Sequence, residues 1–398
     1  MIEWVPLKRI ARLSYGSALP AEERVEGKVP VVGSGGIGDY HNKANVLSPG
    51  IIVGRKGSYG SVKWLPVESF AIDTAYFLDR RSVRVDMRWL YYALQSVDLK
   101  GSSQDVGVPG LSRENAHEVR VPWVQDIHEQ RRIADFLDVE VARIEALVEL
   151  RGRQSEVFAE RSRQQIRALV SGTEENNGDA RLVPWLGKVA DGWPLVRLNR
   201  LGRFYMGTTF PHQYQGVGEG EFPFVKVADF SCGDAYGWVL SAENWIDRTA
   251  ARELRARIVP AGSVVYARVG AALLLNQRRI LGRNSVVDDN VRAIKFHGGD
   301  SRYWMHLLSF VDLAQIANPG PVPSVSESQM ASLAFPSPSH EEQVRISNEI
   351  DYEIAESRKI GGLLARQISL LEERKRALIT AAVTGQIDVT TARGADLS

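Results

Sequence analysis

VPGLSRENAHEVRVPWVQDIHEQRRIADFLD (108–138) and VPSVSESQMASLAFPSPSHEEQVRISNEID (322–351) are two copies of one segment. Pro109 pairs with Pro323, Ser112 with Ser326 and Pro122 with Pro336, all at an offset of 214. After a one-residue deletion Glu129-Gln130 pairs with Glu342-Gln343, at 213. The match continues outward on both sides. Downstream, ERSRQQIRALVSG (160–172) aligns with ERKRALITAAVTG (373–385); upstream, WLYYALQSVDL (89–99) aligns with YWMHLLSFVDL (303–313). Pro6–Ile10 resembles Pro194–Leu198 at an offset of 188, so the second copy carries about 25 extra residues early on. Four ordered matches at a nearly constant offset define an internal duplication.

Each copy has two parts. In the first, short β-rich runs such as Pro49–Val53 and Ser263–Tyr266 alternate with Gly, Pro and Asn turns. The second is almost free of Pro and reads as one long helix. Asp126-x-x-Glu129 and Ser339-x-x-Glu342 have the form of capping boxes, and Gly172 and Gly385 align as stops. Ile133, Leu137, Ile144 and Phe158 recur at helical spacing, as do Ile346, Ile350, Leu364 and Leu371. Each helix would be roughly 65 Å long at 1.5 Å per residue and needs a partner for its apolar stripe. The economical partner is the other copy, in an antiparallel coiled coil; two separate hairpins are the alternative. Arg151–Ser155 and Gly361-Gly362 interrupt the stripes.

The fold class expected is therefore α+β: two mixed α/β domains separated by a pair of long antiparallel helices, with a pseudo-two-fold repeat. The boundaries are a first mixed domain 1–125, a helix 126–172, a polar loop-like linker 173–184, a second mixed domain 185–338, a helix 339–387 and a flexible tail 388–398.

Bulk properties narrow the function. A chain of 398 residues suits two to four domains, and a net charge of +1 means that any nucleic-acid binding must come from local basic patches. The single cysteine, Cys232, excludes an intrachain disulfide framework and a cysteine-based zinc site. Neither a signal peptide nor an apolar run of the roughly 18 residues a membrane helix needs is visible, so a cytoplasmic protein without membrane contact is expected.

VPWLGKVADGWPLVRLNRLG (183–202), the Glu-Gln pairs at 129–130 and 342–343, and the endings Val170-Ser171-Gly172 and Val383-Thr384-Gly385 resemble the specificity subunit of type I restriction-modification systems. The ending VTGQIDV (383–389) is similar too, and the resemblance spans nearly the whole chain. It implies a non-catalytic subunit. Each recognition domain would read one half of a bipartite, asymmetric site on double-stranded DNA, with the helix pair as spacer. Two modification subunits would dock on it to form an adenine methyltransferase that uses S-adenosylmethionine. Motor-nuclease restriction subunits would bring ATP and Mg. No cofactor is expected in this chain itself. DNA half-sites one turn apart lie roughly 34–36 Å from each other, a span that two helices of this length can bridge.

No catalytic or metal-binding residue stands out. Gly33, Gly35 and Gly38 form G-x-G-x-x-G after a strand-like run, but no apolar helix follows and the stretch reads as a turn-rich loop. Asn318-Pro319-Gly320-Pro321 lacks the aromatic residue that would stack a flipped base. There is no P-loop and no H-E-x-x-H.

The candidate DNA contacts are Arg55, Lys56, Ser58, Tyr59 and Lys63 in the first copy, and Arg268, Gln277, Arg278 and Arg279 in the second. Arg reads guanine O6/N7, Gln reads adenine N6/N7 and Lys holds phosphate. Arg268 and Gly270 align with Arg55 and Gly57. For Arg55 and Arg268 both a DNA contact and a structural role stay open; for the others a solvated basic hairpin is the plainer reading. Two rival functions remain: a single-chain modification enzyme with its own recognition domains, and a coiled-coil scaffold that never touches DNA.

Overall fold

The computed structural model describes residues 3–101, 110–173 and 180–389. Pro109, residues 174–179 of the expected linker and residues 390–398 of the expected tail lie outside them. The chain divides into two compact units, residues 1–154 with 364–398, and residues 155–363. Both boundaries fall inside long helices, beside the interruptions at Arg151–Ser155 and Gly361-Gly362.

In the first unit the strands are β1 (Glu3–Pro6), β2 (Ser14–Tyr15), β3 (Val29–Gly33), β4 (Gly36–His41), β5 (Gly50–Gly54), β6 (Val62–Leu65), β7 (Phe70–Ala71) and β8 (Ala75–Asp79). Helices α1 (Met87–Gln95) and α2 (Arg113–Glu118) follow, then β9 (Arg120–Trp123) and the start of α3 (Ile127–Ser171). One sheet has the order β2-β8-β5-β6, a second β4-β3-β7, and β1 pairs with β9. Strands β5 and β8 are buried along their whole length, so they form the floor of the domain. The G-x-G-x-x-G stretch is the tight β3–β4 hairpin, with no helix after it.

The second unit repeats this plan. It contains β10 (Ala180–Val183), β11 (Gly187–Ala190), β12 (Leu195–Arg197), α4 (Leu198–Leu201), β13 (Gly202–Met206), β14 (Phe222–Val225), β15 (Trp238–Val239) and β16 (Asn244–Ile246). After these come α5 (Arg248–Glu253), β17 (Val264–Ala267), α6 (Ala271–Leu274), β18 (Arg278–Leu281), β19 (Val286–Val287) and β20 (Val291–Phe296). Then follow α7 (Ser301–Ser309), α8 (Leu313–Ile316), α9 (Glu327–Ser332), β21 (Ala334–Pro336) and the start of α10 (His340–Val383). Its main sheet runs β13-β20-β17-β18-β15, its second β16-β14-β19, and β12 pairs with β21. The extra residues lie chiefly between β14 and β16, where the first unit has only a tight turn; part of this excursion, β15, adds a strand to the edge of the main sheet. Residues 180–183, expected as part of a loop, instead pair with 187–190 in a hairpin that buries Val183 and Val189.

The two long helices have 45 and 44 residues. Both end as expected. Gly172 and Gly385 adopt φ of 69° and 65°, values that cost glycine least. The N–H of Thr173 donates to Ala168 O and that of Gly172 to Leu169 O; Gln386 and Gly385 repeat these bonds to Ala381 and Ala382. At the starts the side chains of Asp126 and Ser339 accept from the backbone N–H of His128 and Glu342. The full capping box does not form at Ser339, because Glu342 turns to Arg345 instead of back to the cap.

Within each unit a stretch of α3 lies against a stretch of α10. In the first unit Ile133, Leu137, Val141 and Ile144 share a core with Leu378, Ile379, Ala382 and Val383, and Lys375 Nζ lies 3.5 Å from Glu145. In the second, Leu169 faces Arg345 and Glu349, while Phe158 faces Ser357 and Ile360, so the two stretches run antiparallel. Ile346, Ile350 and Leu364 are buried as expected. Phe158, expected in the interface, is 39% exposed, and Leu371 is only partly covered. Where a helix leaves its mixed α/β domain, a single neighbouring helix is left to cover it, and one neighbour hides one side.

The Glu-Gln repeat has a structural cause. Gln130 is buried; its Nε2 donates to Val124 O at 2.7 Å and its Oε1 accepts the Asp86 N–H at 2.8 Å. Gln343 does the same with Pro338 O and the Asp300 N–H, both at 3.0 Å. Asp86 and Asp300 are the N-caps of α1 and α7, so each glutamine ties a long helix to the domain helix above it. A second tie follows, from Arg88 to Asp138 at 2.5 Å and from Arg302 to Asp351 at 2.6 Å. In the first copy the Tyr92 hydroxyl also donates to Asp138, at 2.6 Å. In the second copy His306 takes that place, its Nε2 has no partner among the described residues, and burial pushes its pKa down to about 4.

Gln130→Ala or Gln343→Ala leaves two backbone groups unpaired in the core; each variant is expected to lose about 2–4 kcal/mol in denaturant unfolding. His306 is held neutral in the folded protein and protonates near pH 6.5 once unfolded, so its contribution is present above pH 6.5 and is lost as pH falls toward 4. The stability difference between the wild type and His306→Tyr should therefore change by about 3 kcal/mol between pH 7.5 and pH 4. A pH-independent difference would contradict the assignment.

Candidate nucleic-acid interface

The β5–β6 loop (55–61) and the β7–β8 turn meet at one end of the first unit's sheet. Arg55 is fixed there by its backbone: its N–H donates to Thr74 O and its C=O accepts from Leu111, both at 2.9 Å. Its Nη1 reaches Asp73 O at 3.2 Å. The guanidinium carbon lies 5.1 Å from the Tyr15 ring centre and 6.0 Å from that of Tyr76. Arg113 covers the Tyr15 ring as well, at 4.8 Å. Tyr15 is 44% exposed between the two cations. A cavity of about 330 Å³ is lined by Tyr15, Arg55, Lys56, Tyr76, Arg113 and Glu114, among others. The Tyr76 hydroxyl donates to Leu111 O, and burial raises its pKa, so it stays protonated. Two guanidiniums, an ammonium and an open aromatic face suit phosphate contacts and base stacking.

The structure sorts the sequence candidates. Arg55 and Lys56 border this cavity, and Lys56 and Ser58 are exposed. Lys63 lies against the β3–β4 hairpin, its Nζ near Gly36. Tyr59 packs on the core of the unit, which makes it a packing residue. Sequence reading missed Tyr15, Tyr76 and Arg113. The last was visible in the repeat, where Arg113 faces Glu327 of the second copy.

The second unit builds the same latch. Arg268 N–H donates to Asn290 O at 2.9 Å, its C=O accepts from Val325 at 2.8 Å, and its Nε reaches Asp289 O at 2.9 Å. Arg292 donates to the same carbonyl. Arg278, expected at the DNA, is buried. Its guanidinium donates to Gln277 O, Asn276 Oδ1 and Val311 O and sits 5.6 Å from the Tyr266 ring centre. Burial pushes its pKa down to about 10, still far enough above neutrality to keep it charged. Arg279 is half-buried, with its Nε on Phe230 O at 2.7 Å. Both are structural, because each guanidinium donates to two backbone carbonyls of its own unit. Gln277 is half-buried beside them.

Residues 2–149 match the family model for the type I restriction modification DNA specificity domain. The segment is similar to that domain. No curated protein matches the chain. Two solved structures share its fold over almost its whole length. One is a chain from a study of complex assembly and conformational transition of the type I R-M system: 15% identical, covering 97% of this chain and 98% of that one, TM-score 0.67. The other is the HsdS subunit from Thermoanaerobacter tengcongensis, 14% identical over 97% of each chain, TM-score 0.50. The matched segment contains the Arg55 cavity, and the second unit repeats its plan. Among the described residues no group of three or more His, Cys, Asp or Glu is placed to hold a metal ion, and no helix is long and apolar enough to cross a membrane.

Arg278→Ala is expected to destabilise the second unit by about 3 kcal/mol, since it strips a buried network of its donor. Arg55→Ala should cost under about 1 kcal/mol, because its side chain makes one hydrogen bond at the rim of an open cavity. Thermal or denaturant melts of the two variants distinguish them, and equal losses would contradict this sorting.

Proposed function

We propose that this chain is the non-catalytic DNA specificity subunit of a type I restriction-modification complex. The observation that carries the reading is the duplicated arginine latch, Arg55 on Asp73 O and Arg268 on Asp289 O. It presents equivalent loops of two otherwise different recognition surfaces. Two dissimilar readers call for a bipartite, asymmetric target on double-stranded DNA. The long helices act as the spacer. Two modification subunits carrying S-adenosylmethionine dock on the chain, and restriction subunits using ATP and Mg supply translocation and cleavage. The chain binds none of these cofactors itself and works in the cytoplasm.

The test is a methylome map together with binding by the complex of this chain and its modification subunits. Arg55→Ala and Arg268→Ala should each weaken specific binding by about 10- to 100-fold, each affecting a different half of a split motif. Inserting one heptad in α3 and one in α10 lengthens each helix by about 10 Å and should widen the motif's spacer by about 3 base pairs. An unchanged spacer would overturn the measuring role, and unsplit or absent motifs would overturn the function.

A further inference from the structure

The two units differ at the loop that follows the latch arginine. In the first unit it reads Lys56-Gly57-Ser58-Tyr59-Gly60-Ser61, and its exposed side chains are polar. In the second it reads Val269-Gly270-Ala271-Ala272-Leu273-Leu274-Leu275-Asn276-Gln277. Leu273 is buried, but Leu274 and Leu275 are 56% and 67% exposed. Single exposed leucines need no explanation, whereas an adjacent pair at the tip of a braced loop does.

The bracing is extensive. Gly270 enters the loop at φ 75°, and its N–H donates to Pro323 O. Asn276 leaves it at φ 51°, a region that costs a non-glycine residue about 1–3 kcal/mol. The Asn276 side chain is bonded on every side: Nδ2 donates to Ser309 O, and Oδ1 accepts from the Leu313 N–H and from Arg278. The buried Arg278 adds bonds to Gln277 O and Val311 O. A strained residue and a desolvated arginine thus hold a loop whose tip puts two leucines into water, directly after Arg268. The surroundings match. Met206, opposite Arg292 on the paired strand, is 54% exposed at the register that Tyr15 holds opposite Tyr76. Glu327 stands where the first unit has Arg113. The second reader is apolar and less cationic where the first is cationic and aromatic.

We infer that Leu274 and Leu275 are specificity-determining residues that contact thymine methyl groups in the major groove of the half-site read by the second unit. This rests on the DNA-reading function proposed above. Only thymine offers an apolar group on the major-groove edge of a base pair, and a pair of leucines has no hydrogen bond to give to the other bases. Arg268 and Arg292 supply the positive charge that keeps a phosphate backbone close to an apolar tip.

The experiment uses the complex with its modification subunits and duplexes of its own split motif. Thymines in each half-site are replaced in turn by 2′-deoxyuridine, which removes the methyl group alone. Binding should fall about four-fold per contacted methyl in one half-site. In the Leu274→Ala/Leu275→Ala variant, binding to the normal duplex should fall comparably and uracil should have no further effect. The melting temperature should stay within a degree or two, since both side chains are exposed. Uracil sensitivity that persists in the variant overturns the inference. So does a second half-site without an A·T pair, or a variant that loses affinity although uracil is harmless, which would mark a wedge between base steps. In all three cases the complex still binds its split motif, so the DNA-reading function stands. A complex with no sequence-specific binding would overturn both.

Discussion

A buried amide side chain in each copy determines where the long helix begins. The start of a 45-residue helix exposes unpaired N–H groups, and the strand before it ends in an unpaired carbonyl. Asp126 accepts one of those N–H groups, from His128, while Gln130 donates its amide nitrogen to the Val124 carbonyl and accepts on its oxygen the N–H of the residue that caps α1. Only a side chain with a donor and an acceptor at this reach can close that circuit without a charge. Gln343 closes it with the same geometry. The helix is thereby welded to the domain at the atom that also starts the domain's own helix. Arg88 and Arg302 fix the next turn through Asp138 and Asp351.

On that shared frame the two units set different side chains around one fixed arginine. The arginine at the end of the central strand is locked in both by three backbone-directed bonds, so its position is invariant while its neighbours change. In the first unit it sits against two tyrosines and near a second arginine; in the second it shares a carbonyl with Arg292 near a glutamate. Fixed backbone with variable side chains is how one scaffold reads different sequences: backbone bonds set the register, and side chains alone meet base edges.

The frame was legible in the sequence because it is written in backbone rules. Gly172 and Gly385 are stops because a left-handed residue is needed there, and the Asp126 and Ser339 caps follow from unpaired N–H groups. The site was legible only in part. Gln277-Arg278-Arg279 looks like a basic reading head, yet Arg278 lies inside. Strand alternation carried the warning: Ile280 points into the core, so the residue two before it must too. Tyr15 and Arg113 were hidden because they come from segments about a hundred residues apart, brought together by contacts such as β2 pairing with β8 and Leu111 bonding Arg55. Phe158 failed for another reason: helical spacing identifies a face, but not how many neighbours exist to cover it.

The extra residues of the second copy tie these differences together. The excursion between β14 and β16 adds β15 beside β18, an edge that in the first unit ends at β6. Covering that edge changes what the neighbouring cations can do. Arg279 becomes an anchor for Phe230 inside the excursion, and Arg278, on the opposite face of the same strand, is sealed under Tyr266 and the α7–α8 connection. Of the two cations that sequence alone would assign to DNA, Arg279 is thus taken up by the insertion and Arg278 by its own loop and the α7–α8 connection. What Arg278 holds in place is the loop bearing Leu274 and Leu275. The insertion therefore withdraws Arg279 from the surface, while Arg278 and Asn276, bonded to Val311, Ser309 and Leu313, give the apolar loop its rigidity.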